Sequence, residues 1–412
     1  MDTAVARPGI DFRDPGLPRR LHTAFRGLPP VVALREGFWF VTRHEDVAAL
    51  LKDRVRCGTD IHRVRGYDAT RPFGAGSALE RFQEGLLINL GEGDHRRVRG
   101  AFTKPFTRAA VEASMTEMVM SLVGELFDAL PGEGEAEVEV DWVEAVAKPL
   151  PAAVFRRLFA LPEEDAEMLM GLLHEDTVAI DVLLDPAILS AEDLRRGQDA
   201  MLGLVTYLER LASERLQDPG DDLLSWLTLA YRQGVLSWDD VLTQAMESLA
   251  AGTSTTQTLL SGMVEAFAAF PDEWDRLHDD PSLLRSAVEE ALRFVSPALT
   301  MGRVALMDFE LHGVRVREGD VLQCAVLVAN RDPAAFAEPD VFDITRSPNR
   351  HVAFGGGAHT CLGAHVARLE AREVLSRAVA RWRRIEVVGE GELHPTLMIR
   401  TYRSLPVRLV AR

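Results

Sequence analysis

Cys361 stands in the run Phe354-Gly-Gly-Gly-Ala-His359-Thr-Cys361-Leu-Gly363, where a glycine-rich loop meets the start of a helix. Backbone N–H groups of a first helical turn point toward such a sulfur, and the helix dipole favours negative charge there. Both effects stabilise a thiolate and predict a lowered thiol pKa. Glycines let the backbone pass close to a large flat ligand. Taken alone, the cysteine also suits a buried structural role. It suits as well a zinc site with His359 and His365, which lacks an evident fourth ligand.

Three further groups of residues could do chemistry. Glu290 and Arg293 lie at i and i+3, so on a helix the carboxylate and guanidinium meet. His95 and Arg99 lie at i and i+4, two donors on one face that suit a carboxylate ligand. The stretch Ala250-Ala-Gly-Thr-Ser-Thr255-Thr-Gln257 places four hydroxyl residues in a row inside an apolar helical pattern. Hydroxyls bond back to i−4 carbonyls and bend helices. With Gly252 they predict either a local distortion or an ordinary helix with back-bonded side chains.

Phe354, Gly357, His359, Cys361 and Gly363 match the pattern FxxGxHxCxG, and on these residues the chain resembles the cytochrome P450 family. Glu290 to Arg293 is similar to that family's ExxR helix, His95 to Arg99 to its HxxxR element, and Ala250 to Thr255 to its oxygen-binding motif (A/G)Gx(D/E)T. The resemblance implies heme b (iron protoporphyrin IX), with Cys361 as the iron ligand. A thiolate there pushes electron density onto iron and favours O–O cleavage. It also implies that Phe354 packs beside the sulfur, and that Ala251 and Gly363 lie against the cofactor. His95, Arg99, Arg303 and His359 would bind the propionates. Glu290 and Arg293 would be a buried structural pair, and Thr255 and Ser254 would serve O₂ activation. Ser254 departs from the pattern, because the family carries Asp or Glu there. A serine relays a proton through water but is no carboxyl donor.

By the same analogy Leu87, Ala250, Leu299, Met301, Met398 and Ile399 line the substrate pocket, together with Leu86, Ile88, Ala251 and Ala298. Residues 170–195 form a lid whose Asp176, Asp181 and Asp185 meet solvent or a basic substrate. The implied function is a heme-thiolate monooxygenase that activates O₂ to oxidise a small, mostly hydrophobic or aromatic organic substrate. The setting would be a tailoring step of secondary metabolism such as antibiotic biosynthesis. Electrons would come from NAD(P)H through a ferredoxin reductase and a ferredoxin, which Arg96 and Arg97 would attract as a basic patch. One alternative is a P450-type oxidase catalysing C–C or C–N coupling without oxygen insertion. Another, from a different class, is a non-catalytic heme-binding or sensor protein.

These residues need a scaffold, and hydrophobic periodicity predicts one that is mainly α with small β-sheets. The resemblance makes it the cytochrome P450 fold, a triangular helix-rich body with a long central distal helix. A single catalytic domain over 1–412 is expected, with a small-sheet region near 30–60. Helices are predicted near 45–52, 94–104, 108–130, 141–160, 163–183, 191–216, 221–232, 238–270, 282–294 and 362–382. Ser237 and Asp240 form a capping-box pair at the start of the longest. Strands are expected at 38–42, 303–306, 309–316 and 320–324, an irregular loop at 60–84, a Pro/Gly break at 131–135 and a terminal hairpin.

The chain has 412 residues, 47% of them hydrophobic, and a net charge of −17. So acidic a surface disfavours nucleic-acid binding, which needs phosphate neutralisation. Three separated cysteines exclude a disulfide framework and predict a reducing, cytoplasmic compartment. No apolar run of membrane-spanning length is present, so neither a signal peptide nor an anchor is expected. Composition leaves the oligomeric state open.

Overall fold

The helix Trp238–Ala269 runs through the middle of the protein, with most of its side chains buried. A helix buried over most of its surface is a core helix. Its start is set by the predicted capping box: Asp240 N–H donates to Ser237 Oγ (3.0 Å) and Ser237 N–H to the Asp240 carboxylate (2.8 Å). Helices Pro149–Leu158, Ala166–Ile180, Ala191–Gln217, Leu223–Arg232, Leu284–Val295 and Ala364–Arg381 pack against it. Gly252 sits at the crossing with Pro149–Leu158, where a Cβ would lie 2.1 Å from the Phe155 ring. Its role is close helix packing, not the loosening expected of it. The computed structural model describes residues 17–67, 77–130, 136–180, 191–394 and 398–412.

A five-stranded sheet joins distant parts of the chain, in the order Val31–Arg35, Phe38–Val41, Val321–Cys324, Met301–Ala305, Cys57–Gly58. Phe38–Val41 pairs in parallel with Val321–Cys324, and the other neighbours are antiparallel. The small-sheet region near 30–60 is therefore completed by strands from beyond residue 300. A second sheet orders Glu137–Asp141, Pro406–Ala411, Trp382–Val387.

Several predicted elements differ in detail. The stretch 108–130 is two helices, Arg108–Ser114 and Thr116–Asp128. The stretch 141–160 begins with a π-helical turn, Val143–Ala147, before Pro149 opens an α-helix. The expected loop at 60–84 ends in a helix, Ala78–Gly85, capped by Ser77 through Glu80 N–H. The piece 309–316 is a hairpin, turning at His312-Gly313 with both φ positive (50° and 77°). In the tail, Glu392–Leu393 pairs antiparallel with Tyr402–Ser404, matching the expected hairpin, and the final strand Pro406–Ala411 lies between Glu137–Asp141 and Trp382–Val387. The break at 131–135 and residues 181–190 of the expected lid, including Asp181 and Asp185, lie outside the described residues, as does the Asp176 side chain.

Candidate active site

The loop Phe354–Cys361 is closed on itself by Cys361 N–H donating to Phe354 O (2.9 Å). Gly357 has φ +69°, and a Cβ there would stand 3.0 Å from Lys52 Cα and 3.1 Å from Leu51 O. Only glycine combines that backbone conformation with that approach. Phe354 is half-buried, with the Arg368 guanidinium 4.5 Å from its ring centroid. Arg368 is in turn bidentate to Glu289, which also meets His351. Burial is the largest single influence on the Glu289 carboxyl and raises its pKa, but the bonds and charges of Arg368 and His351 together outweigh it and hold the group down to about 2.

Cys361 is exposed by area although protein surrounds it, so its surface faces an interior space. Burial raises its thiol pKa, opposed by the N–H groups of Gly363 and Ala364 and by Arg99 and Arg368. The predicted helix-start effects are present, but burial outweighs them in the free thiol. Gly363 is the residue before the first turn of Ala364–Arg381.

Beside this loop four donors converge. Arg99 donates to Thr360 O (2.7 Å). The His95 and His359 rings lie 3.8 Å apart, and His359 Nε2 meets Thr59 Oγ1 at 3.2 Å. Arg303 is buried and, among the described residues, bonds only carbonyls, Gly302 O (2.8 Å) and Leu51 O (3.1 Å). Burial and neighbouring cations push His95 down to about 4 and His359 down to about 3. His95 Nε2 is buried with no hydrogen-bond partner among the described residues. Among the described residues no carboxylate pairs with any of the four. A buried donor without an acceptor, as at His95, and buried guanidinium charge met only by carbonyls, as at Arg303, are costly unless something anionic meets them, so the donor set fits a ligand carrying carboxylates.

Glu290 and Arg293 are completely buried and paired through two bonds of 2.7 and 2.8 Å. Glu290 also accepts from Arg346, Asn349 and Asp343 N–H, while Arg293 donates to the carbonyls of Asn330, Pro339 and Val341. The pair thus pins residues 330–349, the segment leading into the cysteine loop.

On the central helix Ala251 is exposed and Thr255 half-buried, unlike the buried residues around them. Thr255 Oγ1 donates to Ala251 O (2.6 Å) and Ser254 Oγ to Ala250 O (2.9 Å). The helix is continuous through this turn, so the outcome is back-bonded hydroxyls and not a break. Ser254 is buried and lines a small cavity of ≈ 20 Å³ with Lys148, Met170, Leu173, Thr253, Gln257 and Thr401. Ala250 is buried in the main core.

Among the expected pocket residues, the segments 298–300 and 398–399 do come together. Leu299 N–H donates to Met398 O (2.8 Å), and Ala298 bridges Ile399. The Leu299 side chain, however, has no exposed surface and packs in the core with Leu21, Phe25, Phe38 and Phe40. Met301 is half-buried with its sulfur against Gly355. Leu87 is partly buried, and its N–H donates to Glu247 on the central helix. Arg96 and Arg97 do not form the expected basic patch. Arg96 pairs with Glu92, and Arg97 ties Asp94 and Asp240 together, bracing the start of the central helix.

Two participants escaped sequence reasoning. Thr59 lay in a region without periodicity. Glu247 lies among Thr243, Gln244, Ser248 and Ala251 on its helix face, so its carboxylate did not stand out.

Residues 65–396 match the family model Cytochrome P450. The chain is 31% identical over 393 residues to the biotin biosynthesis cytochrome P450 of Bacillus subtilis (strain 168), covering 94% of this chain and 93% of that one. It is 36% identical over 333 residues to luteothin monooxygenase of Streptomyces thioluteus, covering 80% and 79%. The solved structure of CalO2 superposes with a TM-score of 0.86 at 27% identity, covering 98% of this chain and 99% of that one. Among the described residues no helix is long and apolar enough to cross a membrane. With a family model over most of its length and relatives named as monooxygenases, this chain belongs to the cytochrome P450 family and is an oxidoreductase of that type.

Proposed function

We propose that this P450 oxidises a small, mostly apolar or aromatic substrate in a tailoring step of secondary metabolism, with heme b held by Cys361. The observation that carries the reading is the convergence of His95, Arg99, Arg303 and His359 beside the cysteine loop with no carboxylate among them. Two propionates would meet these donors with charge-assisted hydrogen bonds. Bound there, the heme supplies O₂ activation at a thiolate-ligated iron. The protein's part is to hold the sulfur on a rigid loop, brace that loop through Glu290 and Arg293, and keep the Thr255 hydroxyl on the open face of the central helix. Ser254 holds its proton on a hydroxyl far from a carboxyl's pKa, so it is no direct substitute for the usual acid. The relative named luteothin monooxygenase supports the tailoring reading. The relative named for biotin biosynthesis shows that the same family serves other pathways.

The test is turnover with a surrogate ferredoxin and reductase under isotope-labelled dioxygen. A product carrying one labelled oxygen supports the reading. A product that has lost hydrogens without gaining oxygen would favour the coupling alternative, for which Ser254 is the motivating residue. A spectrally intact protein that turns over no substrate would favour the sensor alternative.

Electrons would arrive from NAD(P)H through an acidic ferredoxin-type donor. A surface groove of ≈ 510 Å³ lined by Arg108, Arg285, His365, Arg368 and Arg372 would take that donor. Arg108 pairs with Glu112, Arg368 with Glu289 and Arg372 with Glu373, so Arg285 is the groove arginine with no ion pair among the described residues. Its helix Ala364–Arg381 starts three residues after Cys361. Charge reversal at Arg285 and Arg372 together should slow first-electron transfer about tenfold at low ionic strength, because complementary charge acts mainly on association rate. Stopped-flow reduction at rising salt should show the difference vanish as the Debye length shortens. A salt-independent difference would place the donor elsewhere.

A further inference from the structure

We infer that Glu247 selects the substrate: its carboxylate, on the open face of the central helix, pairs with a cationic nitrogen on an otherwise apolar molecule. This deepens the proposed function and rests on it, because the space between the central helix and the heme that Cys361 would hold is taken as the substrate pocket.

Glu247 lies one turn before Ala251 and two before Thr255, so the three share one face of the helix Trp238–Ala269. That face is the open one: Ala251 is exposed and Thr255 and Glu247 are half-buried, while Ala250, Thr253 and Thr256 beside them are buried. Glu247 is deep in the protein yet keeps accessible surface, the same combination found at Cys361. Its carboxylate is held in place. Leu87 N–H donates to Oε2 at 2.6 Å, Ile88 N–H adds to it, and Gln244, one turn earlier, donates to Gly85 O (3.0 Å). The strap therefore orients the carboxylate where the segment 85–88 meets the helix.

A structural strap alone would not need a charge, since an amide oxygen accepts the same N–H groups. Among the described residues no cation pairs with Glu247. On the helices packed against this part of the central helix, Arg81 pairs with Asp239, Glu84 with His62 and Arg210 with Glu214. None of them bears electrostatically on Glu247. Burial raises its pKa to about 7, and the N–H groups of Leu87 and Ile88 only partly offset that. A carboxyl poised there ionises when a cation arrives, and pairing compensates the cost of burying its charge. In an apolar pocket, one placed polar group sets orientation and selectivity.

The probes are benzyltrimethylammonium and neopentylbenzene, which share a shape and differ in charge. Neither has a nitrogen lone pair to ligate iron. Binding is read by calorimetry on the heme-loaded protein, independently of turnover, while a normal carbon monoxide spectrum of the same sample separately checks the family reading. The cation should bind at least about tenfold tighter than the hydrocarbon at about pH 8. As the pH falls below about 7, protonation of the carboxyl should weaken the cation by up to tenfold per unit and leave the hydrocarbon unaffected. Glu247→Gln should abolish the preference and the pH dependence, and Glu247→Asp, which keeps the charge, should retain a preference. Glu163→Gln, which removes an exposed charge far from this face, should change neither. Equal affinities in the unmodified protein would overturn the proposal without any variant. A preference that survives Glu247→Gln would overturn it too. So would a Glu247→Gln protein with intact preference but dioxygen consumption uncoupled from product, which would assign the carboxyl to proton delivery.

Discussion

Glu290→Ala is expected to lose about 3–5 kcal/mol of folding stability, the range for breaking a buried ion pair from one side. That is a large share of the roughly 5–15 kcal/mol that holds a typical domain folded. The loss should exceed that of Arg293→Ala. Glu290 pairs with both Arg293 and Arg346, so its removal strands two guanidinium groups, one fully buried and one nearly so. Removal of Arg293 leaves Glu290 still paired with Arg346. Urea unfolding of the holoprotein orders the two variants, and heme retention during dialysis follows the slackening of residues 330–349. Equal losses would mean that Arg346 contributes nothing to the charge balance. If the double variant Glu290→Ala, Arg293→Leu is no less stable than Glu290→Ala alone, the mechanism of a stranded charge is supported.

Cys361→Ser is expected to have the largest effect on activity. The strongly red-shifted carbon monoxide band of the reduced protein should disappear, and turnover should fall by more than the roughly 10–100-fold typical of changes one shell outside a metal. A hydroxyl at 361 can accept the N–H groups of Gly363 and Ala364 as the sulfur does, so the loop should persist. Circular dichroism and heme content should stay near those of the unmodified protein, because His95, Arg99, Arg303 and His359, the donors proposed to meet the propionates, are unchanged. An unaltered carbon monoxide band would remove Cys361 from the iron. Cys57 and Cys324 are poor substitutes: both are buried in the small-sheet core, with their thiols pushed up to about 12 mainly by burial.

What the sequence disclosed depended on whether the signal was local. Ser237 and Asp240 were readable because a capping box spans four residues, and Glu290 with Arg293 because one helical turn brings them together. The cysteine loop was readable for the same reason. The five-stranded sheet was not, because its register depends on Phe38 finding Val321, a contact no window along the chain contains. Arg96 and Arg97 were misjudged in the same way. They look like a solvated basic run until the fold sets Asp240 against Arg97. Leu299 was assigned by position along the chain, whereas its neighbours Leu21 and Phe25 come from the opposite end of the protein. Glu247 shows the same limit: its strap comes from Leu87, 160 positions earlier, which nothing along the helix announces.

The small sheet also constrains the order in which the molecule can be made. Trp39 donates through Nε1 to Asp320, 281 positions later, at 3.0 Å, and the same strand has its parallel partner there. During synthesis the N-terminal segment must wait, its strand edge unpaired, until most of the chain has emerged. Contacts this remote slow folding, and edges left waiting invite pairing with other chains. Recovery of Trp39 fluorescence should therefore be among the last events of refolding, after helix formation reported by circular dichroism. A chain truncated before residue 320 should leave Phe38–Val41 without its parallel partner, and should depend on chaperones to stay in solution.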